Sequence, residues 1–387
     1  STPRIRDSER RGKQRPIGRV WPQCGEAVRG NTLDQFLIWC SEGECSRVEI
    51  QSDMPVMVRL HGENHQVTRD VSLPGEVEDA VNYIFRSATG VTNLKNGDPI
   101  DVGHTIWPDR KRRRYPFRLN AVSSQVGADA GISMTFRPLV DIPRPLEDQQ
   151  VEPQLMDALH GEQGIFLICG ATGSGKSTLI GGINRARLED PDIHCNLIEA
   201  SAPLEILYDR VLRRNSTVTQ LEIPRNLRSF AEFVRASMRR EPTDIVVGEC
   251  RDPETMEASI QAGISGHRLL SSLHTNSCSS TVRRVQALCP ADQRDSLTIS
   301  FVENLRLLVN QRLLKSTDGK RTPVREFLPV TRAIRSRLLD APRDRWPNIT
   351  QAAVEEHGQT FAQSIAAAVK QGRITEAVAA AAMKEEN

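Results

Sequence analysis

The segment Gly170-Ala171-Thr172-Gly173-Ser174-Gly175-Lys176-Ser177 has the spacing G-x-x-x-x-G-K-[ST]. It stands directly after an apolar run, Ile165 to Cys169, and directly before the helical-looking stretch that opens at Thr178. That arrangement suits the binding of a polyphosphate. Glycines let backbone N–H groups turn inward around an anion, and the N-terminus of the following helix adds about half a positive charge at the same place. Lys176 is expected to reach the β- and γ-phosphates and the Ser177 hydroxyl to ligate Mg²⁺, so ATP with Mg²⁺ is the pair this segment implies.

Binding alone does not break a phosphate bond. Hydrolysis also needs a carboxylate that orients water and holds the outer shell of the metal. Glu249 closes the buried-looking run Asp244 to Gly248 and is the first candidate, acting on the metal through water. Asp252 is close by, but Asp252-Pro253-Glu254 reads as a helix start with Asp252 as N-cap and Pro253 at the first helical position. A second acidic pair, Glu199 and Glu205, follows the apolar strand expected from His194 to Ile198, and His274 ends the run that begins at Arg268. Strand ends beside a phosphate-loop strand line the ligand crevice of a doubly wound sheet, which is where a catalytic carboxylate or a phosphate-sensing His belongs.

The elements that position these residues are legible in outline. Residues 1–30 carry Arg4, Arg6, Arg10, Arg11, Lys13 and Arg15 with little apolar periodicity and read as a flexible basic arm. From 31 to 140 a helical stretch (Leu33, Phe36, Leu37, Cys40) precedes short alternating segments around Val48 and Met57, the pattern of an α+β domain. Pro143 and Pro145 interrupt regular structure, which places a linker at 141–147. Four apolar strands then alternate with helices, the pattern of a mostly parallel sheet covered on both faces, over 148–340. The chain is expected to turn helical from Asp292 and to end in a small Ala-rich helical appendage, 341–387.

Composition sets broader limits. The 387 residues carry 51 Lys and Arg against 49 acidic residues, so the formal charge of +2 provides no global field for nucleic acid or anionic lipid. No apolar run has the length of a membrane span, and the expected location is the cytoplasm. The eight cysteines form no C-x-x-C pair and read as reduced core thiols.

Taken together and in order, the phosphate loop, the acidic segment Glu199 to Glu205, the segment Pro242 to Thr255 and the histidine segment Gly266 to Asn276 resemble the four boxes of the type II/IV secretion-system ATPases. These are the PilT-like hexameric traffic ATPases, and the likeness leans toward the DotB and TraJ group of type IVB secretion and conjugation systems. The resemblance spans roughly Leu33 to Met383 and takes in Gln311-Arg312-Leu313-Leu314. It implies a PAS-like first domain, a RecA-like second domain and a homo-hexamer recruited to the inner membrane by protein partners. By the same likeness Glu205 takes the catalytic acidic-box place, Glu249 the Walker B place, and His267 and His274 the histidine-box places. Arg118 and Arg137 become nucleotide-facing arginines, and Arg240 reaches the nucleotide of a neighbouring subunit. The acidic segment has two residues more than the usual family spacing, which leaves Glu199 and Glu205 both open as the base. Competing readings are a DNA-translocating motor gripping phosphates with Arg110 to Arg114, a pilus-retraction motor, and a nucleotide-dependent assembly switch.

Overall fold

The computed structural model describes residues 31–109 and 113–385. The basic arm and three residues of the basic cluster, 110–112, lie outside them. The chain divides into two compact units, one ending at Asp141 and the other beginning at Ile142.

In the first unit α1 (Asn31–Glu42) is followed by β1 (Arg47–Gln51), β2 (Pro55–Leu60) and β3 (Glu63–Val71), then α2 (Pro74–Phe85), α3 (Thr89–Lys95), β4 (Ile100–Ile106), β5 (Tyr115–Val126) and β6 (Asp129–Pro138). Among the described residues the strands form a six-stranded antiparallel sheet in the order β3-β2-β1-β6-β5-β4. Val48 and Ile50 of β1 are buried while their neighbours are half-exposed, the period-2 signature of a sheet with one covered face. That face packs on Leu33, Phe36, Leu37 and Trp39 of α1 and on Val77, Val81 and Ile84 of α2. This is a PAS-like α+β arrangement.

The second unit opens with a strap, residues 142–152, that lies along a helix of its own unit rather than in solvent. Then come α4 (Pro153–Ala158), β7 (Gly164–Cys169), α5 (Lys176–Glu189), β8 (Asn196–Ser201), β9 (Thr217–Glu222), α6 (Phe230–Ser237), β10 (Asp244–Val247), α7 (Pro253–Ile264) and β11 (Arg268–Ser271). They are followed by α8 (Cys278–Leu288), α9 (Arg294–Asn304), β12 (Leu305–Lys315), β13 (Arg321–Pro329), α10 (Arg332–Leu339), α11 (Trp346–His357), α12 (Phe361–Lys370) and α13 (Glu376–Lys384). The described strands form a seven-stranded sheet ordered β13-β12-β7-β11-β10-β8-β9, parallel apart from the β12–β13 pair.

Both faces of this RecA-like sheet are covered, and β7, β10 and β11 are buried at every position. Alternate residues of β7 serve opposite cores. Ile165, Leu167 and Cys169 join the helices α6 to α11 on one face, and Phe166 and Ile168 join Leu179 and Ile183 of α5 on the other. The seven described cysteines are all buried free thiols.

One expectation about elements needs correction, and the C-terminal helices divide between two cores. The chain does not simply turn helical after Asp292. One helix, α9, intervenes, and then two long antiparallel strands, β12 and β13, extend the sheet beside β7. The turn between them contains Asp318 and Gly319, the latter at φ 82°, which is hairpin chemistry. Trp346, Ala353 and Val354 of α11 belong to the main core, so only α12 and α13 form a separate cluster, closed over Val324 of β13.

Candidate functional site

The phosphate loop leaves β7 at the carboxyl edge of the sheet, where the Gly170 N–H donates to Leu273 O at 3.2 Å. Gly170 (φ 150°) and Gly175 (φ 82°) have backbones that L side chains rarely adopt. A Cβ at Gly170 would lie 2.5 Å from Gln311 O and from Ser174 Oγ, and one at Gly175 would lie 2.8 Å from Gln311 Nε2. Both glycines are therefore required by close approach as well as by φ. Gly173 (φ 79°) is in open space. Ala171, Thr172 and Gly173 are exposed, as are Ser177 and Thr178 in the first turn of α5, where the first N–H groups have no intrahelical partner.

Lys176 Nζ donates to Gly170 O at 2.6 Å and to Ala171 O at 2.9 Å, so the ammonium folds back over the loop. Burial lowers its pKa, against the opposing pull of Cys169, Glu249 and Glu205. Both carboxylates thus act electrostatically on the cation of the loop, although they come from different strand ends.

Glu249 follows β10 and is mostly buried, with 15% of its side chain exposed. Its Oε1 lies 2.8 Å from His274 Nε2 and also makes an ion pair with Arg251. The loops carrying these groups are laced together, Cys250 N–H donating to Ser272 O at 3.0 Å and Ser272 Oγ to Gly248 O at 2.6 Å. Asp252 accepts from Thr255 N at 2.9 Å as the N-cap of α7, with Pro253 in the first turn, so it is a capping residue.

The two acidic-segment glutamates have different surroundings. Glu199 lies within β8, which begins at Asn196 rather than His194, and is buried. It accepts from Ser201 Oγ at 3.0 Å and from Gln220 Nε2 at 3.2 Å. Desolvation pushes its pKa up to about 7 against those hydrogen bonds. Glu205 is exposed on the loop that follows. Gln220 braces that loop by donating to Ile206 O at 2.8 Å and accepting from Tyr208 N at 3.0 Å, and Glu222 accepts from Leu204 N at 3.3 Å.

Four expected residues are not brought to the loop within its own unit. His267 precedes β11, which runs parallel to β7 with Arg268 opposite Gly164. It therefore sits at the amino edge of the sheet, the end opposite the phosphate loop, with Nδ1 3.1 Å from Ala262 O. Arg240 lies at the same edge before β10, exposed, with Nη2 3.5 Å from Thr219 Oγ1. Arg118 and Arg137 face each other across β5 and β6 of the first unit, and Arg118 Nη2 is 2.5 Å from Asp101 Oδ2.

Sequence reasoning gave no role to Gln311, Gln220 or Arg325, all within reach of the site by hydrogen bonds. The available signal was a polar residue inside a buried strand run, because a polar group shut away from water must find a partner. A divalent cation suits the donors present. Ser177 at the start of α5 and Glu249 offer hard oxygen ligands, the kind Mg²⁺ takes alongside phosphate and water.

Comparison with known proteins agrees with this geometry. A family profile described as type II/IV secretion system protein matches residues 117–382. The crystal structure of the Legionella pneumophila ATPase DotB superposes with a TM-score of 0.87 at 31% identity, covering 93% of this chain and 98% of that one. That of the pilus retraction motor PilT with bound ADP gives 0.73 at 26% identity, covering 89% and 95%. A twitching motility protein of Neisseria gonorrhoeae is 27% identical over 319 residues, 82% of this chain and 81% of that protein. With the profile spanning more than half of the chain and the fold shared along nearly all of it, this chain belongs to the type II/IV secretion system protein family, among the PilT-like traffic ATPases.

Proposed function

We propose that this chain hydrolyses ATP as the motor of a type IVB secretion or conjugation apparatus. The observation that carries the reading is the pairing of Glu249 with His274 at 2.8 Å, on the segments that follow β10 and β11 at the carboxyl edge of the sheet from which the phosphate loop leaves. A pure binding switch needs the loop and no water-orienting carboxylate. The likeness to DotB along both units favours the type IVB setting.

In this reading backbone N–H groups of 170–178 and Lys176 hold the phosphates, and Ser177 and, through water, Glu249 hold the Mg²⁺ that comes with the nucleotide. Water attacks the γ-phosphorus while the bond to the β–γ bridging oxygen breaks. Glu205 takes the proton, and Glu249 with His274 orients the water and neutralises charge. Glu199 serves as a buried brace for the Glu205 loop. Arg118 and Arg137 are proposed as nucleotide-facing arginines, Arg118 exchanging Asp101 for phosphate. His267 and Arg240 are proposed to act on the nucleotide of a neighbouring subunit in a homo-hexamer. The likeness to secretion-system ATPases favours work at the cytoplasmic face of the inner membrane through protein partners; no helix among the described residues is long and apolar enough to cross a membrane.

The test is ATPase turnover, with and without nucleic acid, combined with mass measurement of the particle, for wild type and Lys176→Ala. Turnover indifferent to DNA and lost in the variant is expected, because Lys176 is the one cation among residues 170–177. Wild-type turnover in Lys176→Ala would remove the site assignment, and steep DNA stimulation would favour a DNA motor. The likeness to the gonococcal twitching protein favours pilus retraction as the second reading. Restoration of twitching in a strain lacking its retraction ATPase, without restoration of a type IVB defect, would select it.

A further inference from the structure

Gln311 is 3% exposed in the middle of β12, and its side chain is fully engaged in two directions. Nε2 donates to Ser174 O of the phosphate loop at 2.8 Å, and Oε1 accepts from Arg325 Nε at 2.8 Å. Arg325, 1% exposed on β13, spends its other nitrogens on a different segment. Nη2 donates to Gln149 O at 2.8 Å, and Nη1 to Gln150 O at 2.8 Å and Glu152 Oε2 at 3.1 Å. Gln311 also lines the loop closely, since its backbone carbonyl is an atom that a Cβ at Gly170 would strike and its side-chain Nε2 one that a Cβ at Gly175 would strike. One buried chain of hydrogen bonds therefore runs from the phosphate loop through β12 and β13 to the strap that leads back to Asp141.

We propose that Gln311 is a positioning residue that holds the phosphate loop in its ligand-receiving shape, with Arg325 as its anchor, and that the pair passes the state of the loop to the strap at 149–152. This rests on 170–177 being the phosphate site. The physical case is that an amide inside a sheet core has one satisfiable orientation here. Its donor end must meet the Ser174 carbonyl because its acceptor end is taken by a guanidinium, which has no acceptor of its own. Buried networks of this kind are high-stakes, because one lost member leaves others unpaired in a low-dielectric interior. A loop that shifts on taking up phosphate shifts the Ser174 carbonyl, and the groups hydrogen-bonded to it in series are Gln311, Arg325 and the acceptors at 149–152.

The role separates from simple core packing by what it does to affinity. A loop shape that serves ground state and transition state alike affects binding more than the chemical step. Two variants serve. Gln311→Glu keeps an acceptor for Arg325 but turns an oxygen toward the Ser174 carbonyl, and Gln311→Met removes both bonds at similar size. ADP affinity, KM and kcat for ATP, and amide exchange across 146–152 with and without ADP are measured on the full chain. About tenfold weaker ADP binding and a matching rise in KM are expected in both variants, with kcat changed less than threefold. Slowed exchange in the strap on adding ADP is expected in wild type and not in the variants at saturating ADP. Affinity within twofold of wild type in a folded Gln311→Glu, or a wild-type strap indifferent to ADP, overturns the proposal. So does loss of fold in both variants, which would assign the pair to the core alone. Failure of wild type itself to bind ADP would instead overturn the phosphate site.

Discussion

At the scale of single residues, three glutamates near the loop divide by environment. Glu205 is exposed, Glu249 is held beside His274 and Arg251, and Glu199 is sealed among Ser201, Gln220 and Tyr208. Groups that act on water or metal rather than on ground-state binding lower kcat when changed. Glu249→Gln and Glu205→Gln are expected to keep ATP binding while turnover falls on the order of a hundredfold or more; normal hydrolysis in both would refute a two-carboxylate site. Glu199 makes a different prediction. Its folded-state pKa of about 7 lies above the ordinary 4.5, so the folded protein holds a proton that the unfolded chain has released between those values. The stability tied to that proton is complete below about 4.5 and is lost as pH rises through about 7, up to about 3 kcal/mol. Denaturant midpoints between pH 5 and 8 should fall with pH in wild type and flatten in Glu199→Gln. An unchanged slope in the variant would place the titrating proton elsewhere.

Among the elements, the strap joins α5 most closely. Arg185 Nη1 donates to Pro143 O at 2.6 Å, and Gln149 Nε2 donates to Arg144 O at 2.8 Å and Thr178 O at 3.0 Å. The contact depends on a bare helix face at Gly181 and Gly182. A Cβ at Gly182 would lie 2.4 Å from Gln149 Nε2 and 2.9 Å from Arg144 O, and the second of these is backbone. Gly182→Ala should therefore destabilise by up to about 2 kcal/mol net, because overpacking of about 1–3 kcal/mol outweighs a helix-propensity gain of about 1 kcal/mol. Urea unfolding checks it; an unchanged or raised midpoint would mean that the strap lifts from α5 at no cost. Proline spacing marked this segment as a break in regular structure. It did not mark it as docked, since nothing in 141–147 encodes the two glycines that receive it.

At the scale of the whole molecule, the role proposed for the arginines of the first unit bears on whether ATP turnover is a property of one chain or of an assembly. If Arg118 and Arg137 serve the transition state more than the ground state, Arg118→Ala and Arg137→Ala will leave nucleotide affinity within a few-fold. Turnover alone will drop by about 2–4 kcal/mol of transition-state stabilisation, read from kcat/KM and ADP titration. Adding Lys176→Ala subunits to wild type tests coupling. A loss of activity steeper than dilution is expected of a closed ring, and a strictly linear loss in assembled particles would show that subunits fire independently.

The phosphate loop, the capping role of Asp252 and the doubly covered sheet could be read from order and spacing because their causes are local. Glycine φ angles, a helix start after an apolar strand and uninterrupted apolar runs are properties of consecutive residues. The β12–β13 hairpin is not legible as strands because its apolar stretches are short and broken by Arg306, Asn310, Gln311, Arg325 and Glu326, which fits a helix as well as a strand, and only pairing with β7 and between the two distinguishes them. Likewise the separation of Glu199 from Glu205, the placing of His267 at the far edge, and the link from Ser174 through Gln311 and Arg325 to Gln149 depend on contacts between residues distant in sequence. Tertiary structure decided these, because burial, register and the partner of a buried polar group exist only once the strands have been brought side by side.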